Sequence, residues 1–246
     1  IPPATDPSKW SISQQVVPQI AFDFENRIRF GVMFYPEASN ECGTGTVVSP
    51  ISYNASNVQA AYTGPTAVPF GLTPSAASLD AARAYLEGLH LTTPKYVLLI
   101  TDGIPNCIGP DPDAVTVAAA KRLKDAGILV GVVGFGAQFA GGNDKDVLDR
   151  IAAAGGTGAA YAATNHEQLR SQLNLIASSA SGCCRDVCSA GAAQCNGSGQ
   201  SQKCEVTCVD CVLEKLPREV LFFCFGCCYS RRRILQATTP PCVSFP

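Results

Sequence analysis

Two apolar runs constrain the fold more than any other feature. Tyr96–Ile100 reads YVLLI, Leu129–Gly136 reads LVGVVGFG, and DAVTVAAAKRLKDAGI between them has helical spacing. A strand that is apolar at successive positions must be buried on both faces, which is the state of strands in parallel sheets covered by helices. Strand, helix, strand of this kind is the parallel crossover unit, so an α/β fold with a mostly parallel central sheet and helices on both faces is expected. The first run ends directly in Thr101-Asp102-Gly103. Ligands of such sheets gather where the carboxyl ends of the strands open, which puts Asp102 at the rim where function is expected.

The alternation extends over Ser8 to about Ala180. SKWSISQQVVPQIAFDF reads as a helix interrupted by Pro18, and IRFGVMFY as a strand. Thr46 to Tyr62 has strand composition with many turn formers, so only short strands are expected there. SAASLDAARAYLEGL places Leu79, Ala82, Leu86 and Leu89 on one helical face. KDVLDRIAAAGG is a helix with a glycine stop, and AAYAA a short strand. TNHEQLRSQLNLIASSA opens with Thr164 and Glu167 at capping-box spacing and carries the stripe Leu169, Leu173, Ile176.

Nearly half of the 246 residues are apolar and the formal net charge is −2, which excludes a disordered chain and a global basic field for nucleic acid. No apolar run approaches the roughly 20 residues of a membrane-spanning helix. Cysteine is uneven: Cys42 and Cys107 stand apart, and eleven of the thirteen lie between Cys183 and Cys242. That density indicates a disulfide scaffold in an oxidising, extracytoplasmic setting, with at least one thiol left over from an odd total.

Three features converge on one rim. GLTPSAASLDAA puts Thr73 just before a helix, VLLITDG puts Asp102 at a strand end, and RIRFGVMFY is a strand preceding both. A hydroxyl and a carboxylate from neighbouring loops are hard oxygen donors suited to Mg²⁺ or Mn²⁺. Threonine before proline is also an ordinary helix start, and Asp-Gly an ordinary turn.

With these motifs in this order, and with AAAGGTGAAY late in the region, residues from about Ser8 to Ala180 resemble the von Willebrand factor type A domain in its bacterial secreted form. The resemblance implies a Rossmann-like fold. It also implies that Thr73 and Asp102 correspond to two of the three elements of a metal-ion-dependent adhesion site, whose metal accepts an acidic side chain from a partner protein. The family's first element, D-x-S-x-S after a central first strand, is missing here. DPSKWS offers Asp6 and Ser8, but Trp10 occupies the second serine position and no apolar strand precedes it. The chain therefore reads as beginning just after that motif, with a partial site. Loss of the central strand leaves the backbone groups of its two neighbours to be satisfied otherwise.

Cys42 and Cys107 both follow strands at the same end and are candidates to pair; the alternative is that they are unrelated. Cys208, Cys211, Cys224 and Cys227 spell C-x₂-C-x₁₂-C-x₂-C, a zinc-like spacing, although disulfides suit a Cys-rich secreted segment better. His90 and His166 show no ligand spacing and read as surface or capping residues. GVVGFGAQF contains G-x-G, but Phe139 stands where a dinucleotide fingerprint needs its third glycine. No G-x-S-x-G or H-E-x-x-H occurs. Asn54 and Asn196 head glycosylation sequons.

The expected organisation is an N-terminally incomplete type A domain over 1–180, a Cys-rich disulfide module over 181–207 and an irregular Cys-rich tail over 208–246. The middle segment resembles a small module that follows such domains in large bacterial surface proteins. After Val206 that resemblance stops, and a frame error or unusual splice is one reading of the tail. The expected role is non-enzymatic protein binding or adhesion at the cell surface or after secretion. A metal-free structural module, and a thiol-redox or nucleotide-dependent oxidoreductase, are the alternatives from other classes.

Overall fold

The computed structural model describes residues 8–36, 40–64, 71–107, 109–180, 193–195 and 201–203. Helix α1 (Lys9–Phe24) starts at Ser8, whose side chain accepts from the Ser11 amide at 3.1 Å. Pro18 lies inside it and is buried with Ile12, Val16 and Ile20. Strand β1 (Phe30–Phe34) pairs antiparallel with β2 (Thr46–Ser52). Helices α2 (Ala55–Thr63) and α3 (Ser75–Gly88) follow, then β3 (Lys95–Thr101), α4 (Pro112–Asp125), β4 (Ile128–Phe135), α5 (Asn143–Ala154), β5 (Tyr161–Ala163) and α6 (His166–Ala180). Strands β3, β4 and β5 form a parallel sheet in that order, with Lys95 opposite Ile128 and Val133 opposite Tyr161. Strand β6 (Ala193–Cys195) pairs antiparallel with β7 (Ser201–Lys203).

The two apolar runs form β3 and β4 as expected, because their residues face two cores. Ile20, Phe30, Val32, Tyr96, Leu98, Val133, Leu169 and Leu173 fill one. Met33, Leu79, Leu86, Val97, Leu99, Leu123, Val130, Val132 and Ile151 fill the other. Alternate residues of each strand serve opposite layers, so neither strand tolerates a polar face.

Three local expectations change. Between Asn54 and Thr63 the chain is helical rather than extended: Asn54 caps α2 by accepting from the Ser56 amide at 3.0 Å, and Ala55, Val58, Ala61 and Tyr62 are buried. Their 3–4 residue spacing outweighs the strand composition of the segment. Leu89 is not on the buried face of α3 but at its C-cap, 37% exposed. The start of α6 is capped one residue later than Thr164 and Glu167 suggest. Asn165 accepts from the Gln168 amide at 2.9 Å, and Gln168 reaches back to the Thr164 amide at 2.8 Å.

The glycines of GVVGFG are packing positions. A Cβ on Gly134 would lie 2.6 Å from Phe139 and 2.7 Å from Leu148. Phe139, fully buried in the 3-10 turn after β4, occupies that space, so this strand end has no open cradle for a pyrophosphate.

Candidate functional site: an oxygen-bearing rim beside an open slot

The carboxyl ends of β1 and β3 lie at the same rim. Tyr35, just past β1, donates its hydroxyl to the carbonyl of Ile100 near the end of β3, at 3.2 Å. The Tyr35–Pro36 peptide is cis, and Pro36 lies where a Cβ on Gly71 would meet it at 2.7 Å. Gly71 also has φ +78°, a left-handed conformation open to glycine, so both backbone and space require glycine at the start of G-x-T-P.

Thr73 and Asp102 come together here. A Cβ on Gly103 would stand 3.0 Å from the Thr73 hydroxyl oxygen, so the Thr-Asp-Gly turn and the threonine loop are in contact. The turn is folded on itself: the Thr101 hydroxyl donates to the Gly103 carbonyl at 2.7 Å and accepts from the Gly103 amide at 3.3 Å. Gln138 donates to the Asp102 carbonyl at 2.9 Å, and the Asp102 side chain is 69% exposed.

The threonine loop is braced from two sides. The Leu72 amide donates to the Glu41 carbonyl at 3.0 Å. The Thr73 amide donates to Asn106 Oδ1 at 2.7 Å, and the Asn106 amide returns a bond to the Thr73 carbonyl at 3.3 Å. Each bracing residue adjoins a cysteine, and Cys42 and Cys107 form a disulfide with Cα atoms 5.6 Å apart. The bridge therefore ties together the two loops between which Thr73 is held. Asn106 and Gln138 carry no recognisable motif. The hint for Asn106 was its place in a Pro-Asn loop, where an amide side chain tends to bond backbone.

Two further groups shape the electrostatics. Lys9 Nζ lies 3.6 Å from Asp102 Oδ2, an exposed pair worth at most about 1 kcal/mol. Burial pushes the Tyr35 phenol up to about 12, with the Thr101 hydrogen bond opposing and the Asp102 charge adding to the rise. Tyr35 therefore remains a donor at any physiological pH.

Thr73 and Asp102 line the same cleft and are oxygen donors of the type a hard cation takes. By themselves they supply two oxygens, so Mg²⁺ or Mn²⁺ held here would keep mostly water ligands. Among the described residues no group of three or more His, Cys, Asp or Glu side chains could hold a metal. His90 ends α3 with φ 49° and His166 begins α6, so neither is near the rim motif in the chain. Asp6, Asn196, Cys208, Cys211, Cys224 and Cys227 lie outside the described residues, as do the segments 181–192 and 204–246.

The family model of the von Willebrand factor type A domain matches residues 7–175. The chain belongs to this family. Domains of the family commonly mediate protein interaction or adhesion. Among solved structures, proximal thread matrix protein 1 from the mussel byssus is similar, with a TM-score of 0.52 and 19% identity over 70% of this chain and 41% of that one. The pilus adhesin SpaC from Lactobacillus rhamnosus GG gives 0.54 and 17%, over 68% of this chain and 27% of that one. BatB from Bacteroides thetaiotaomicron, a conserved hypothetical protein, gives 0.51 and 16%, over 69% and 90%. At these identities the likeness shows the shared fold. The chain spans about two fifths of the length of the byssus protein. One structure of that byssus protein has a zinc-occupied MIDAS motif. A search of curated proteins finds no match.

Proposed function

We propose that this type A domain is a non-enzymatic protein-binding module acting outside the cytoplasm, and that Thr73 and Asp102 are its contribution to a metal-ion-dependent adhesion site. The observation that carries the reading is the contact of the threonine loop with the Thr-Asp-Gly turn at one sheet rim, the first braced by Asn106 and the second by Gln138. Mg²⁺ or Mn²⁺ bound there supplies an open coordination position for a carboxylate of a partner. Thr73 offers its hydroxyl, and Asp102 its carboxylate directly or through water. The partial site takes its remaining oxygens from a D-x-S-x-S segment outside residues 8–180. We take 1–180 as the type A domain, 181–207 as a disulfide module and 208–246 as a tail. The Cys42–Cys107 disulfide supports an oxidising compartment.

With a peptide carrying an apolar strand and D-x-S-x-S added to the chain, Asp102→Ala should abolish Mg²⁺-dependent binding to an acidic-peptide surface while circular dichroism stays unchanged. Undiminished binding in that variant would refute the assignment. One observation favours a second reading, a metal-free interaction module: Lys9 already places a cation beside the Asp102 carboxylate.

A further inference from the structure

The threonine loop is closed into a ring with two other loops. Glu41 holds Leu72, Asn106 holds Thr73 in both directions, and the Cys42–Cys107 bridge returns the chain of contacts to its start. Only the bridge is covalent. The other links are three hydrogen bonds, and Glu41, Leu72 and Asn106 are all exposed, so water competes for them. The fit is close: a Cβ on Gly71 would stand 3.0 Å from Glu41 Cα and 3.1 Å from its carbonyl oxygen. A displacement of the Glu41 segment is therefore felt at Leu72 and Thr73. Neither core draws a side chain from residues 40–43, 71–73 or 105–107, so this ring can loosen without emptying a core.

The two sulfurs are unequally placed. Cys107 is buried, whereas Cys42 is partly exposed in a loop with the exposed residues Asn40, Glu41 and Thr44. An external thiolate approaches through Cys42 and expels Cys107 as the leaving group. The sulfur left behind is not stranded. Cys107 Sγ lies 3.8 Å from Asn106 Oδ1 and 3.9 Å from the Glu41 carbonyl oxygen. A thiol there has two acceptors within reach, so the open state leaves no buried sulfur donor unsatisfied. These are the same oxygens that receive the Thr73 and Leu72 amides. Reduction thus removes the covalent link and sets a competing donor beside both remaining braces.

We propose that the Cys42–Cys107 pair is a redox switch of the threonine loop: the disulfide fixes Thr73 beside the Thr-Asp-Gly turn, and the dithiol form releases it while the rest of the fold stands. The exchange partner is a dithiol–disulfide couple. A thiolate of the dithiol forms a mixed disulfide with Cys42, Cys107 leaves as a thiolate and takes up a proton, and the partner's second thiol displaces Cys42. Two electrons and two protons pass to this chain, and the partner becomes the disulfide. In the reverse direction an oxidising compartment sets the loop. Only the consequence for metal and partner binding rests on the proposed function; release of the loop does not.

The experiment records ¹⁵N backbone order parameters of the full 246-residue chain without metal, oxidised and after excess dithiothreitol, with Cys42 and Cys107 followed by differential alkylation. On reduction the Leu72 and Thr73 amides are expected to fall from about 0.85 to below about 0.6. Val130, whose buried amide donates to the Gly155 carbonyl, should stay unchanged. Glutathione disulfide should restore both loop amides. The double variant Cys42→Ser, Cys107→Ser should show the low values without reductant, and dithiothreitol should move them no further, which separates this bridge from the other eleven cysteines. Fast motion within the folded protein does not follow global stability, so a merely stabilising bridge would leave Leu72 and Thr73 as they were. That result overturns the proposal, as does a bridge that dithiothreitol leaves intact in native buffer. Loosening of Val130 together with the loop overturns it too, since the bridge would then hold the whole fold. High values in the double variant would assign the effect to other cysteines and overturn it likewise. Failure of the metal assignment shows in Asp102→Ala instead and leaves these outcomes untouched.

Discussion

Tyr35 shows how a single side chain links the two sheets. Its hydroxyl reaches the Ile100 carbonyl only while protonated, and burial raises its pKa from 10.0 to about 12. A phenol whose folded pKa lies above its unfolded value stabilises the fold fully below the unfolded value, and that contribution disappears as pH rises through the folded one. Tyr62 and Tyr96 are shifted in the same direction by burial. Stability in urea is therefore expected to show no tyrosine-linked change up to about pH 10 and to fall between about 10 and 12. An absorbance titration of phenolate should find these three tyrosines ionising only as the protein unfolds. Free ionisation of all seven tyrosines near pH 10 in folded protein would contradict their burial. At this scale the place of Asp102 at the sheet rim was readable, because it directly follows a buried apolar run. Asn106, Gln138 and Lys9 were not, since each acts through a neighbour 33 to 93 residues away that only folding brings close.

Among the elements, the β3–α4–β4 unit was legible because the strands hold the apolar runs Tyr96–Ile100 and Ile128–Phe135 and the helix between has a consistent face. Helix α2 was not, since Ser, Asn, Val and Tyr have weak or contrary helix preference and the element depends on Asn54 and on burial of four side chains. The end of β4 gives the sharpest check on packing. Gly134 has Phe139 and Leu148 where its side chain would be, so Gly134→Ala should destabilise the fold by about 1–3 kcal/mol in urea titration. No loss of stability would mean that the turn over Ala137–Ala140 is not seated on β4 in the way described. It would also reopen the idea that G-x-G serves a ligand.

For the whole molecule, the disulfide ties two rim loops together while a cleft separates β1 from β3. The bridge closes a separation of 65 residues and joins the loops flanking Thr73. Replacing Cys42 and Cys107 by serine should cost about 4 kcal/mol on the chain-entropy account, measured by urea denaturation without reductant. A cost near zero would show that the loops hold Thr73 without it. The cleft, by contrast, lies between β1 and β3, each of which pairs on one side only among the described residues. The sequence could not show that β1 and β3 would lie on either side of this cleft, because that rests on α1 and α6 packing in one core and α3 in the other.

Binding of Mn²⁺, followed by electron paramagnetic resonance, tests the central assignment most directly. The full chain is titrated in the presence of a peptide that carries the apolar strand and ends in Asp-Gly-Ser-Gly-Ser. The account predicts that Mn²⁺ is held when protein and peptide are together, and that the protein-dependent signal is lost in Asp102→Ala and weakened in Thr73→Ala. Identical Mn²⁺ binding by the wild-type chain and by Asp102→Ala would contradict it.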